Sequence, residues 1–573
     1  MSLRSLARHH GLTTAYEERD VPDTTLALIL ERLGVDSGGA PSGAPAAEAM
    51  PSTGARAPRP ARGWGVFCQL YELRSDRNWG IGDFSDLARL ARTCGMAGAD
   101  FLGVNPLHAL FLAAPEHCSP FSPSNRRFLN PLYIAPDTLG CERPDDLPDA
   151  DLVDYAAVTR AKLGALRAAF AAAGDDPDFD AFLAEEGEAL RLHALFEVIS
   201  AGQSHVGWTG WPKALQDPHG AAASEIGRTQ AEDVRFQQWL QYVARTQLRA
   251  AQKAAKDAGM RIGLYLDLAV GEAQDGSATW SGTAAAMPGL GVGAPPDVFS
   301  EHGQNWDLAA PSPEKMARDD YAAYRAMIGA QLRDAGALRI DHAMAIWQLF
   351  LIPAGEPAAN GTHLRYPMAD LLRVLCEEAH RNDAILIGED LGFVPSGFRE
   401  VMTAANILSY RIVYFEQDET GFDAAGSYPE VALACLSTHD LPILSAWWTG
   451  QDIDLREANG LVSPEASVQH RAHREKERRD LVRAFGVEAD PEAETLPDAV
   501  LDAAHAFMAA TPCLLAGVRL ADLVGPETPT NLPGVTDGHP NWRPRSSVAV
   551  DDIADHPVFA RVTGSMRTAR PRS

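Results

Sequence analysis

Positive charge is in short supply: 50 Lys and Arg stand against 77 Asp and Glu in 573 residues, a formal charge of −27. A phosphate backbone or an anionic membrane surface needs clustered Lys and Arg. No basic stripe with interleaved aromatics occurs, so neither nucleic acid nor a membrane is expected as a partner. Cysteine is sparse too. The seven (68, 94, 118, 141, 376, 435 and 513) are odd in number, scattered and free of any C-x-x-C. That excludes a disulfide framework and a structural zinc as expectations and fits reduced thiols in a cytoplasm. The first thirty residues hold Arg4, Arg8, His9 and His10, then Glu17, Glu18 and Asp20, with no apolar run resembling a signal peptide. No predominantly apolar stretch reaches about 18 residues, so no membrane span is expected. What remains is ordinary globular composition, 46% apolar and 8% aromatic, in a chain too long for one small core.

Residues 1–35 read as a small, separate helical segment, in which Leu26–Leu30 and Leu33 follow an Asp/Thr-rich helix start. Residues 36–62 are Gly, Pro, Ala and Ser with scarcely a large apolar side chain, the composition of a flexible linker. From 63 to 573 short apolar runs alternate with stretches of helical periodicity. The runs are Trp64–Leu73, Asp100–Pro106, Arg261–Ala269, Ala337–Asp341, Ala384–Glu389, Arg411–Phe415, Val431–Thr438 and Cys513–Val518. Eight strands in a βα rhythm predict an α/β fold of the (β/α)₈ TIM-barrel type, with a doubly wound open sheet as the rival. The second and third runs are roughly 150 residues apart, far more than a βα loop needs. That predicts an insertion at about 107–228, on the active-site side.

Three acidic sites lie where apolar strands run out. Arg339-Ile340-Asp341-His342 ends one, Gly388-Glu389-Asp390 the next, and Thr438-His439-Asp440 another. In a parallel barrel all strand carboxyl ends share one face, so these residues would converge. Two carboxyl groups facing a glycosidic bond are the minimum equipment for cleaving it: one attacks or activates, the other protonates the leaving oxygen. Arg339 and Asp341 are two apart, so their side chains lie on the same side of a strand, where the guanidinium would aim the carboxylate. Glu389 follows a run of aliphatics, where partial burial would keep it protonated for acid work. A single acid at a strand end is ordinarily a helix cap or a surface charge, and His439-Asp440 alone could cap the helix that follows. The recurrence of such sites on several strands points instead to chemistry.

These segments resemble the catalytic segments of the amylomaltases, the 4-α-glucanotransferases of glycoside hydrolase family 77. Further ordered segments agree over about residues 64–545. They are Asn105-Pro106-Leu107-His108-Ala109-Leu110, Ser119-Pro120-Phe121, Arg127–Ile134, Asp267–Gly271, Gly293–Asp297, Gly303-Gln304-Asn305-Trp306, Asn531–Asp537 and Pro540–Arg543. The resemblance implies a retaining double displacement, with Asp341 as nucleophile, Glu389 as acid/base and Asp440 gripping hydroxyls of the distorted ring. Arg339, His439 and Asp267 would line the same subsite. Asp297, Gln304, Trp306 and Asn531 would hold flanking glucoses, with Trp306 as an apolar platform for a sugar face. Ser119 and Phe121 would join the donor site, although the family commonly has Ser-Pro-Tyr, so a hydroxyl is missing here. The expected partners are α-1,4-glucans and maltooligosaccharides as donors, and glucose or maltooligosaccharides as acceptors. No metal and no organic cofactor is implied, in keeping with the absence of H-E-x-x-H, a P-loop and a calcium loop. The longer bacterial members start similarly, but the sandwich-like domain they carry next is replaced by the 36–62 segment.

Other readings are a hydrolase using the same carboxylates, a metal-assisted lyase with Mg²⁺ on Asp341, Glu389 and Asp390, and a glucan-binding protein with a dead site. Gly289-Leu290-Gly291-Val292-Gly293-Ala294 satisfies the dinucleotide pattern G-x-G-x-x-A. Met287-Pro288 before it and Pro295-Pro296 after it deny the strand and helix N-terminus that pyrophosphate needs. A mobile Gly/Pro lid beside the acceptor site is the expectation for this stretch.

Overall fold

The computed structural model describes every residue except 1, 17–18, 37–45, 47–49, 53, 146, 148–149, 297–301, 536–537 and 573. Eight parallel strands close into a barrel in sequence order, with the last hydrogen-bonded to the first. They are β1 (Gly63–Phe67), β2 (Phe101–Gly103), β3 (Gly263–Leu268), β4 (Ala337–Ile340), β5 (Ile385–Gly388), β6 (Leu408–Ile412), β7 (Ala432–Cys435) and β8 (Leu515–Arg519). The TIM barrel expected from the apolar rhythm is therefore present, and the open-sheet rival is not. Two departures from the expected strand bounds bear on the site. β1 stops at Phe67, and Leu70–Glu72 wind into a 3₁₀ turn. β6 begins three residues before Arg411, and Val413–Phe415 form a 3₁₀ turn rather than strand.

The interior of the barrel is filled by rings fitted against glycines. Phe67 lies 5.4 Å from Phe101 and 5.2 Å from Tyr265, centroid to centroid. A methyl group at Gly103 or Gly517 would fall inside the envelope of the Phe67 ring. β2, β8 and β1 can therefore enclose that ring only because these two positions carry no side chain.

Between β2 and β3 the chain forms helices Tyr155–Ala172, Pro177–Ala201 and Ala221–Thr229, before the long helix Ala231–Asp257 leads back to β3. Phe111, Phe196 and Trp211 of this excursion form a separate apolar cluster with Trp280, which follows β3.

A second sheet stands beside the barrel mouth, ordered Thr362–Arg365, Gln348–Pro353, Ala286–Ala294, Gln304–Pro311 and antiparallel throughout. This corrects the expected lid, because the Gly-rich run 289–294 is a strand. Its Leu290 and Val292 are buried, and a strand running through the whole G-x-G-x-x-A pattern leaves no helix terminus for a phosphate.

The N-terminal segment covers the outer edge of that sheet. Helices Leu3–His9 and Asp23–Arg32 flank a chain that bridges Leu12 to Leu364, and the Thr13 N–H donates to the His363 carbonyl at 3.0 Å. Leu6, Leu26, Ile29 and Leu30 join the same apolar core as the barrel, so residues 1–35 are not packed as a separate unit. The end of the expected linker also has fixed partners. Ala57 is buried with its N–H on the Ala405 carbonyl, and Arg62 donates to the carbonyls of Ala509 and Thr511. All seven cysteines are free. Among the described residues no helix is long and apolar enough to cross a membrane.

Gly517→Ala should destabilise the fold by about 1–3 kcal/mol through overpacking against Phe67. Adding Phe67→Leu should recover part of the lost melting temperature. An unchanged Tm for the single variant would contradict the ring-in-glycine account.

Candidate active site

The pairing register of β3 and β4 sets Arg339 directly beside Asp267. Both side chains therefore point to the same side, and Arg339 Nη1 donates to Asp267 Oδ1 and Oδ2 at 2.8 and 3.0 Å. Two residues on, Asp341 comes to the same side, its Oδ1 2.9 Å from that nitrogen. One buried guanidinium thus holds two carboxylates. Burial works against its charge, but Asp267, Asp341 and Glu389 outweigh burial and hold Arg339 well above the ordinary arginine range. Burial raises Asp267 to about 6, against the pull of Arg339.

Glu389 follows β5, and its carboxyl is caught by two main-chain N–H groups. His342 donates to Oε2 and Leu391 to Oε1, both at 2.8 Å. The first of these donors, His342, takes a left-handed conformation, φ 45°, immediately after Asp341. Glu389 is 8% exposed. Burial pushes its carboxyl up to about 7; Arg339 and the two N–H groups oppose the rise, and Asp341 adds to it. Asp390, next in sequence, faces the other way, where it accepts from Ser409 Oγ (2.6 Å), the Tyr410 N–H (2.8 Å) and Arg399 Nε (2.7 Å). A donor set of Asp341, Glu389 and Asp390, as the lyase reading requires, is not assembled.

Asp440, on the turn after β7, stands across the cleft, open to it with 44% of its side chain exposed and walled by protein elsewhere. Its Oδ2 is 3.1 Å from His439 Nε2, and its Oδ1 accepts from Asn531 Nδ2 at 2.7 Å. The surrounding protein disfavours its charge, but His439, Asn531 and the more distant Arg339 outweigh that and hold it down to about 2. Phe121 stacks on the His439 ring, with centroids 4.6 Å apart and planes 17° apart, and its N–H is held by Ser119 Oγ at 3.3 Å. Trp306, on the inner edge of the second sheet, meets the His342 ring edge-on at 5.3 Å and donates from Nε1 to Gln304 Oε1 at 3.0 Å.

The residues singled out from the sequence thus fall into three groups around one cleft. Asp267 and Arg339 lie on β3 and β4, and Asp341 and Glu389 directly follow β4 and β5. Asp440, His439, Asn531, Phe121 and Ser119 lie opposite, and Gln304 and Trp306 lie along the second sheet. Asp297 lies outside the described residues. Several wall residues were not anticipated. Tyr410 lies under the Arg339 guanidinium, 5.6 Å from ring centroid to Cζ, and was obscured by setting β6 three residues late. Trp542 lies 5.8 Å from the His439 ring and 5.6 Å from Phe121. Glu72 was hidden inside an over-long first strand, although an acid within an apolar run is itself a signal.

Comparison with known proteins agrees with this geometry. A family model described as 4-alpha-glucanotransferase matches residues 68–549. The 4-alpha-glucanotransferase of Haemophilus influenzae is 34% identical over 521 residues, covering 84% of this chain and 74% of its own length. That of Mycobacterium bovis is 36% identical over 519 residues, covering 84% of this chain and 71% of its own. The crystal structure of amylomaltase from Corynebacterium glutamicum superposes with a TM-score of 0.84 at 26% identity, over 98% of this chain and 99% of that one. With the matched span enclosing all three carboxylates and seven of the eight barrel strands in full, the chain belongs to the 4-alpha-glucanotransferase family, glycoside hydrolase family 77.

Proposed function

We infer that this chain is a 4-α-glucanotransferase that moves α-1,4-glucan segments between maltooligosaccharides by retaining double displacement. The observation that carries the reading is the pairing, on adjacent strands, of a carboxylate aimed by a buried guanidinium with a carboxyl pushed up to about 7. In the first half-reaction Asp341 attacks C1 of a donor glucose, the C1–O bond breaks, and the Glu389 proton passes to the departing oxygen. In the second, the 4-hydroxyl of an acceptor sugar attacks C1 of the glucosyl ester, its proton passes to Glu389, and Asp341 is released. Asp440 stays ionised through the neutral range and acts as a pure acceptor for sugar hydroxyls. His439, Arg339 and Asp267 line the same subsite, and Asn531 aims Asp440. Phe121 offers a ring without the hydroxyl common in the family, held by Ser119. Gln304, Trp306 and Asp297 serve the flanking glucoses.

Donors are α-1,4-glucans and maltooligosaccharides, and acceptors are glucose or maltooligosaccharides. Residues 63–573 form the catalytic domain, with its insertion at about 107–228. Residues 36–62 connect it to the 1–35 segment. Seven unpaired cysteines support a cytoplasmic location. Maltotriose is the discriminating substrate: a ladder of longer oligomers means transfer, glucose and maltose alone mean hydrolysis, and no change means binding only.

Asp341→Asn keeps the shape and removes the nucleophile, so ester formation and transfer should vanish. Activity within about tenfold of wild type would remove Asp341 from that role. Glu389 must carry a proton in the free enzyme, and its carboxyl sits at about 7. The kcat/KM should therefore fall as pH rises through that value, and Glu389→Gln should lose this limb of the profile. An activated donor, whose leaving group needs no proton, should partly bypass Glu389→Gln; equal loss on both donors argues against the acid role. Trp306→Ala should weaken acceptor binding by about 1–3 kcal/mol, leaving the ester to water more often. The ratio of released glucose to transfer products should rise. A flat ratio with a lower total rate makes Trp306 a packing residue only.

A further inference from the structure

Glu72 is a buried acid that the mechanism does not use. It ends the 3₁₀ turn after β1, is 5% exposed, and faces a cavity of about 50 Å³ shared with Asp267, Arg339, His439 and Arg519. Its Oε1 accepts from the Thr530 hydroxyl at 2.8 Å. The same hydroxyl oxygen accepts from Arg519 Nη2 at 3.2 Å, which fixes the direction of its proton toward Glu72. From the end of β8, Arg519 Nη1 donates to the carbonyls of Thr438 (2.6 Å) and Leu441 (2.8 Å), the two ends of the turn that carries His439 and Asp440. Thr530 immediately precedes Asn531, whose amide holds Asp440 at 2.7 Å, and its carbonyl accepts from the N–H of Trp542, a ring beside His439. One hydroxyl therefore joins the two segments that aim Asp440, and Glu72 is what that hydroxyl is anchored to. Packing alone does not call for a carboxyl there. Burial pushes it up to about 7, even with Arg519 and Thr530 opposing the rise, so the group is held at a cost.

We propose that Glu72 is a positioning residue for the reaction: through Thr530 and Arg519 it locks the 438–441 turn and Asn531 into the geometry that presents Asp440 to the sugar. This rests on the reading of Asp440 as the carboxylate that grips the reacting ring. Asp440 would do most of its work on the distorted ring, so loss of its alignment reduces kcat and kcat/KM together.

The test is a double-mutant cycle on maltotriose transfer, with kcat, KM and Tm measured for Glu72→Leu, Thr530→Val, Asn531→Ala, the two doubles with Asn531→Ala, and Asp440→Asn. Glu72→Leu and Thr530→Val should each lower kcat about tenfold or more, with KM within about twofold. Each double should lie within about twofold of the Asn531→Ala single, because the same alignment is already lost. Glu72→Gln, which keeps an acceptor for Thr530, should restore most of the rate. Should Glu72→Leu fail to fold, Thr530→Val removes the same link while leaving Glu72 and Arg519 as opposite charges beside each other, and carries the cycle alone. Losses that multiply in the doubles, or wild-type kcat in Thr530→Val, overturn the proposal. Wild-type rate in Asp440→Asn overturns the reading beneath it instead, so the two failures are distinguishable.

Discussion

A guanidinium taken out of water inside a barrel is costly unless charge and hydrogen bonds replace the lost solvent. Arg339 meets that condition with Asp267 beside it in register and Asp341 two residues on, so the cleft is organised around a buried cation. The same arrangement separates the behaviour of the acids. Asp341 touches the cation, whereas Glu389 is held by main-chain N–H groups and is dominated by burial, which lifts it to about 7. Two carboxyl groups on adjacent strands thereby acquire the different environments that nucleophile and acid require.

The opposite wall follows another rule. Asp440 is not paired with a guanidinium; it is aimed by the neutral amide of Asn531 and by His439, whose own ring is fixed by stacking against Phe121. These contacts come from segments far apart in sequence: the chain after β2, the turn after β7 and the chain beyond β8. The wall is therefore only as well placed as the hydrogen bonds between those loops, in contrast to the Arg339 side, where sheet register does the placing.

That contrast also explains what could be read from the sequence. The barrel and its acidic strand ends were legible because buried parallel strands are continuous apolar runs, and Arg339-Ile340-Asp341 has the period of two that a strand imposes. The second sheet was not legible. Its inner strand carries three glycines among Gly289–Ala294, and glycine suggests a loop wherever close packing is invisible; here the register against Gln348–Pro353 and Gln304–Pro311 uses that room. The apolar run Arg411–Phe415 begins three residues after β6 itself does and leaves out Tyr410, whose ring lies under Arg339. Glu72 and Trp542 gain their place from loop-to-loop contacts, so local pattern could flag them but not place them. The docking of residues 1–35 on Thr362–Arg365 is of the same kind, an edge strand covered by a distant segment.

His342 ties the second sheet to the carboxyls at the barrel mouth. As a non-glycine residue in the left-handed region it carries strain of order 1–3 kcal/mol. Its N–H donates to Glu389 directly after Asp341, so this strained residue links the two carboxyl groups. Its ring meets the edge of Trp306. Trp306 belongs to the second sheet, and the far edge of that sheet is held by the N-terminal segment. The Trp306 ring is thus referenced to Asp341 and Glu389 through one residue rather than through a free loop. In the proposed mechanism, a platform fixed in this way would exclude water from the ester without having to close over it, which is the demand that separates transfer from hydrolysis when the carboxylates are the same.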